Sequence, residues 1–92
     1  MPTDPPPAWE ISRRQQIGAR IRDARLDAGL TQIQLGELVG LDHKTIHRIE
    51  YATTDPSLGM LVRIARAMAV SLSDLVREEP RPVTGDDSRP GR

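Results

Sequence analysis

Cysteine is missing from this 92-residue chain, and that absence removes disulfide stapling, thiolate metal sites and a thiol nucleophile together. Phenylalanine is missing as well, and one tryptophan and one tyrosine are the whole aromatic content. Any core must therefore be aliphatic. Uninterrupted apolar runs never exceed a few residues, against the roughly 20 needed to cross a bilayer, so no membrane partner is expected. The opening MPTDPPPAWE has no basic segment leading into an apolar one, so export is not expected and a soluble, cytoplasmic chain is. Net charge is absent too, since 13 Lys and Arg balance 13 Asp and Glu, which excludes a protein that is basic throughout.

What is present is unevenly spread. Between residues 12 and 48, seven cations (Arg13, Arg14, Arg20, Arg22, Arg25, Lys44 and Arg48) stand against four acids (Asp23, Asp27, Glu37 and Asp42), a surplus of three. Acids concentrate elsewhere, at Asp4 and Glu10 and, towards the C-terminus, at Glu78, Glu79, Asp86 and Asp87. A basic face on a neutral chain is a candidate phosphate footprint.

A chain this short builds one core. Four prolines within residues 1–10 predict a stiff, extended N-terminal arm over 1–11, because proline fixes φ and lacks an N–H. PRPVTGDDSRPGR has little apolar surface to bury, so 80–92 is expected to be a flexible tail. The folding unit is then 12–79.

Within that unit the apolar period is helical throughout, and the fold class is all-α, a compact bundle of five helices. The first helix is expected from about Ser12 to Ala28, with Ile17, Ile21, Ala24 and Ala28 on one face and Gly29 ending it. Thr31 and Gln34 have capping-box spacing, opening a second helix from about Gln32 to Val39 that buries Leu35, Leu38 and Val39. Gly40 can supply the positive φ of a tight turn, and Asp42 can cap a third helix from about His43 to Tyr51. Ile46 and Ile49 point inward there, leaving His43, Lys44, His47 and Arg48 mostly outward. Asp55-Pro56 breaks the chain, and Ser57 caps a fourth helix burying Leu58, Leu61, Ile64, Ala65 and Met68. Ser71 caps the fifth, with Asp74 in its first turn and Leu72, Leu75 and Val76 completing the core.

His43 and His47, four residues apart, share a helical face and raise the question of zinc. Nothing else converges on them, and the hydrolytic form of that motif needs glutamate where this chain has Lys44, a cation that repels a metal. No metal and no cofactor are therefore expected. With no serine elbow, glycine-rich phosphate loop or paired buried carboxylates, enzymatic chemistry has no residues to use. A short capped helix, a glycine turn and a second helix with exposed donors at its leading end fit a DNA major groove instead.

From Ile17 to Leu75 the chain resembles the phage-repressor and Cro type of helix-turn-helix domain, an XRE-like, lambda-repressor-like bundle common in bacterial transcription factors. The resemblance rests on Ile17-Gly18, Ile21, Arg25, Gly29-Leu30-Thr31-Gln32, Leu35, Gly40, Ile46, Ile49-Glu50, Pro56-Ser57, Leu61, Met68 and Val70-Ser71-Leu72. It implies that Gln32 bonds a DNA phosphate at the head of the second helix. It further implies base-edge contacts from His43, Lys44 and Arg48, with His47 at the margin and Thr45 on the phosphate backbone. Side-chain chemistry agrees, since Arg48 can fork onto guanine O6 and N7, Lys44 can donate to the same edge, and His43 can donate or accept. A solvated helix face is the plain alternative for each. Thr53 and Thr54, in the following loop, are phosphate candidates or ordinary loop threonines.

Arg25 and Glu50 occupy otherwise inward-facing positions, and the resemblance pairs an arginine with a glutamate there, so they are expected to form a structural ion pair. Three residues depart from the family pattern. Gly36 stands where alanine is usual, and Ala52 and Ala69 stand where glycine often ends a helix, so either a left-handed cap there is strained or the loops differ.

The function this implies is a sequence-specific transcriptional regulator acting on double-stranded DNA of the nucleoid. It would insert helix 3, about 43–51, into the major groove as a homodimer reading two half-sites. The fifth helix or the Trp9 arm could supply the dimer surface, unless Trp9 folds back on the domain. The alternative is a protein-interaction module, such as an antitoxin or adaptor, whose partner is another protein.

Overall fold

Proline punctuation sets where the first helix can begin. The structure is a computed structural model that describes residues 4–78, and helix α1 runs Ala8–Asp27, four residues earlier than the periodicity suggests. The prolines of the arm end at Pro7, whose carbonyl accepts from the N–H groups of Glu10 and Ile11 at 3.0 and 3.2 Å. Glu10 then sits in the first turn, where a carboxylate complements the helix dipole, and pairs with Arg14 one turn on at 2.6 Å. The last residues of the expected arm are thus helical. Trp9 rides on that first turn 70% exposed and does not fold back on the domain. The expected tail, 80–92, lies outside the described residues.

The remaining helices are α2 (Gln32–Val39), α3 (His43–Glu50), α4 (Leu58–Ala67) and α5 (Leu72–Val76). Each of these starts on a side-chain cap: Thr31, Asp42, Ser57 and Ser71 accept from the N–H three residues on. Thr31 with Gln34, and Ser71 with Asp74, close full capping boxes. α1 packs on α3 and α5, α2 lies between α3 and α4, and α4 meets α5. Ile21, Leu35, Val39, Ile46, Ile49, Ile64, Ala65, Met68 and Leu75 form the buried core. Across the molecule, Arg13 of α1 donates to the Val76 carbonyl at 2.6 Å and Arg20 to the carbonyl of Arg77. These guanidiniums satisfy acceptors at the C-terminal end of α5, the end that favours a positive charge.

Three apolar residues expected inside lie elsewhere. Leu38 is 61% exposed and Leu58 68%, and Ala28 is exposed. At about 100° per residue, Leu38 sits beyond the stripe through Leu35 and Val39 that α3 and α4 cover. Leu58 opens α4 ahead of the turns that reach the core, and Ala28 lies past the end of α1.

Four helices end in the same way. Gly29, Gly40, Ala52 and Ala69 all have positive φ, at 73°, 81°, 60° and 58°. The residue after each sends its N–H back to the helix: Leu30 to Arg25, Leu41 to Gly36, Thr53 to Arg48 and Val70 to Ala65, at 2.9–3.0 Å. Glycine adopts this conformation freely, whereas Ala52 and Ala69 do so under strain.

Two glycines let main chains touch. A methyl group at Gly18 would collide with the carbonyl oxygen of Glu50 and come within 2.8 Å of that of Ile49. One at Gly36 would collide with the carbonyl oxygen of Leu41. So α1 crosses the end of α3 at Gly18, and α2 backs onto the turn into α3 at Gly36.

Candidate nucleic-acid interface

Helix α3 begins at Asp42, whose Oδ1 accepts from the Thr45 N–H at 2.8 Å. Hydrogen bonding from Thr45, with Arg48 and His43 close by, holds the Asp42 carboxyl below its ordinary value. Ile46, Ile49 and Glu50 turn inward and are buried. His43, Lys44, His47 and Arg48 are all exposed, as pairs one turn apart on the outer face. Together with Gln32 they line one open hollow of about 380 Å³. Among the described residues, the side chains of His43, Lys44 and Arg48 make no hydrogen bond or ion pair, so their donors are free for a ligand. No group of three or more His, Cys, Asp or Glu comes together among those residues to hold a metal ion.

Gln32, the first residue of α2, is half-buried between the outer face and the core. Its amide nitrogen donates to Glu50 Oε1 at 3.2 Å and lies 3.4 Å from His47 Nδ1. Both amide hydrogens are thus directed within the protein, leaving Oε1, an acceptor that a phosphate repels. The free donors at this helix end are main-chain groups, because the first N–H groups of a helix have no partner within it.

Behind the face lies the Arg25–Glu50 pair. Arg25 Nε and a terminal nitrogen reach the two Glu50 carboxylate oxygens at 2.6 and 3.2 Å, a forked geometry suited to a guanidinium. A third donor of Arg25 holds the Leu30 carbonyl at 2.9 Å. The two side chains are 10% and 0% exposed, and among the described residues no buried side-chain polar atom is left without a partner.

Three further positions have mixed surroundings. Thr45 is half-buried. Thr53 is exposed, with its hydroxyl 3.4 Å from the Arg48 carbonyl. Thr54 is half-buried and lines a pocket of about 60 Å³ with Ile17, Ala52 and Leu61, beside the 3.6 Å Arg14–Asp55 pair. Sequence reasoning overlooked Tyr51. Its ring lies 4.5 Å from that of His47, tilted by 34°, and the Arg22 guanidinium covers it at 5.2 Å. The four-residue spacing of His47 and Tyr51 on one helix was the available signal.

A capped helix, a left-handed glycine turn and a second helix with a cationic outer face define a helix-turn-helix unit. The model of the family described as helix-turn-helix matches residues 21–75, and the chain belongs to that family. It is 36% identical over 63 residues to the immunity repressor protein of Bacillus phage phi105, covering 68% of this chain and 44% of that protein. The chain spans less than half the length of that curated relative and of PuuR, an HTH-type transcriptional regulator of Escherichia coli. Among solved structures, the restriction-modification controller protein C.AhdI of Aeromonas hydrophila superposes with a TM-score of 0.67 at 28% identity. That match covers 70% of this chain and 97% of the other. The P22 c2 repressor, solved in complex with a synthetic operator, gives 0.64 at 30% identity over 68% of this chain and 96% of that one.

Proposed function

We propose that this chain is the DNA-binding part of a transcriptional regulator acting on nucleoid DNA in the cytoplasm, with α3 entering the major groove. The observation that carries the reading is the shared hollow of Gln32, His43, Lys44, His47 and Arg48, whose long cations make no side-chain hydrogen bond or ion pair among the described residues. Arg48 and Lys44 address guanine O6 and N7, while His43 and His47 address neighbouring base edges. The main-chain N–H of Gln32, at the positive end of α2, takes a phosphate, and Thr45, Thr53 and Thr54 flank the backbone path. The operator complex of the P22 c2 repressor supports this use of the fold. One such helix reads only a few base pairs, so the working form is a homodimer on two half-sites about 34–36 Å apart.

Fluorescence anisotropy with duplexes selected from random DNA, at two salt concentrations, tests the reading. Binding should weaken steeply with salt, and Arg48→Ala should relax base preference while costing about 1–3 kcal/mol. If no duplex were preferred at low salt, a protein-docking module, antitoxin or adaptor, would replace it. For that rival, the exposed Leu26 and Ile33 line an open hollow with Leu30 and His43.

A further inference from the structure

The buried ion pair and the outer face of α3 are joined by a single side chain. Gln32 can present only its nitrogen to Glu50, because the reversed amide would set oxygen against a carboxylate already held by Arg25. The second hydrogen on that nitrogen is then directed at His47 Nδ1, 3.4 Å away. This contact is long for a hydrogen bond, and the ring has a second contact beside it. The His47 ring rests against Tyr51 at 4.5 Å, and Tyr51 is in turn covered by Arg22. A neutral imidazole that accepts at Nδ1 carries its hydrogen on Nε2.

We infer that Gln32 is a positioning residue: it relays the buried Arg25–Glu50 charge to His47 and fixes that ring with Nε2–H outward, as a donor. This rests on the DNA reading of the face. A fixed donor suits acceptor atoms only, namely guanine O6 and N7, adenine N7, thymine O4 or a phosphate oxygen. It is mismatched to the exocyclic amines of cytosine and adenine. Discrimination at His47 then originates in a carboxylate that never meets the nucleic acid.

The test uses the full chain labelled with ¹⁵N. Two-bond imidazole spectra at about pH 8, where an ordinary imidazole is neutral, should show His47 with Nδ1 bare and Nε2 protonated. His43, whose ring makes no hydrogen bond among the described residues, should show the averaged pattern of an unfixed tautomer. A protonated Nδ1 on His47, or a pattern matching that of His43, overturns the assignment. Gln32→Met keeps the length without the donor, and His47 should then average like His43 while circular dichroism reports an intact helical fold. The wild-type spectra decide the matter even if this variant unfolds.

A binding cycle on the selected duplex separates relay from direct contact. His47→Ala and Gln32→Met should each weaken binding about fivefold, and the double variant little more than either alone. A product of the two losses, about 25-fold, would refute the relay and make Gln32 an independent contact. Repeating the selection with Gln32→Met identifies the acceptor. Preference lost at one or two positions marks a base edge, and uniform weakening with a smaller salt dependence marks a phosphate. If His47→Ala left affinity and preference untouched while the spectra came out as expected, His47 would lose its place in DNA reading and the ring assignment would stand.

Discussion

Ala69 ends α4 with φ at 58°, and Ala52 ends α3 at 60°. Holding an L-residue there costs about 1–2 kcal/mol, and glycine removes that cost while adding about 0.4–1 kcal/mol of unfolded-chain entropy. Ala69 is exposed, so its methyl group contributes no burial. Ala69→Gly should therefore stabilise the domain by about 0.5–1 kcal/mol, or about 2–8 °C in melting temperature for a domain of this size. Ala52 is half-buried and lines the pocket with Ile17 and Leu61. Losing part of a methyl group's burial, worth up to about 0.8 kcal/mol, offsets much of its gain. Ala52→Gly should thus fall well short of Ala69→Gly. Gly29→Ala supplies the mirror image, since a methyl group at that position meets nothing within 4 Å and only the backbone cost remains. It should lower stability by about the amount that Ala69→Gly raises it. Thermal and urea unfolding followed by circular dichroism measures all three. An Ala69→Gly variant no more stable than the parent would refute the claim that strain is stored at this helix end.

Other outcomes follow from single contacts. Glu50→Ala strands the Arg25 guanidinium at a buried site and should cost about 3–5 kcal/mol. Urea unfolding should also find the pair Arg25→Met with Glu50→Leu much less damaging than the sum of its parts. Gly18→Ala raises helix propensity by up to about 1 kcal/mol yet drives a methyl group into main-chain carbonyls of α3. A net loss of about 1–3 kcal/mol is expected, and a melting temperature equal to or above the parent's would contradict the close approach. The Asp42 carboxyl is depressed below its ordinary 3.8 in the folded chain, so its contribution is present above that value and is lost as pH falls through the lower folded one. Thr45 amide exchange should be insensitive to the cap between about pH 7 and 5 and quicken below about pH 4, and Asp42→Asn should remove that dependence.

Much of this architecture was legible because its signals are local. The Thr31–Gln34 and Ser71–Asp74 boxes, the Asp42 cap and the Gly29 and Gly40 exits depend on residues within a turn or two of one another. The outward set on α3 followed from helical spacing alone. What escaped depends on distant partners. Leu38 and Leu58 are apolar enough to be buried, yet in the packed bundle both stay largely exposed. The engagement of Gln32 follows from Glu50 lying 18 residues away in sequence. Counting prolines over a window concealed that none lies beyond Pro7 in the first helix.

Gly18 and Gly36 leave α3 seated backbone against backbone at both of its ends. Its pitch is set by peptide groups, which are the same in every protein, and hardly at all by the side chains it displays. Those side chains are then interchangeable tips on a fixed mount. If α3 reads bases as proposed, recutting positions 43, 44 and 48 would change which sequence is addressed without re-aiming the tool that addresses it, whereas position 47 is tied to Gln32.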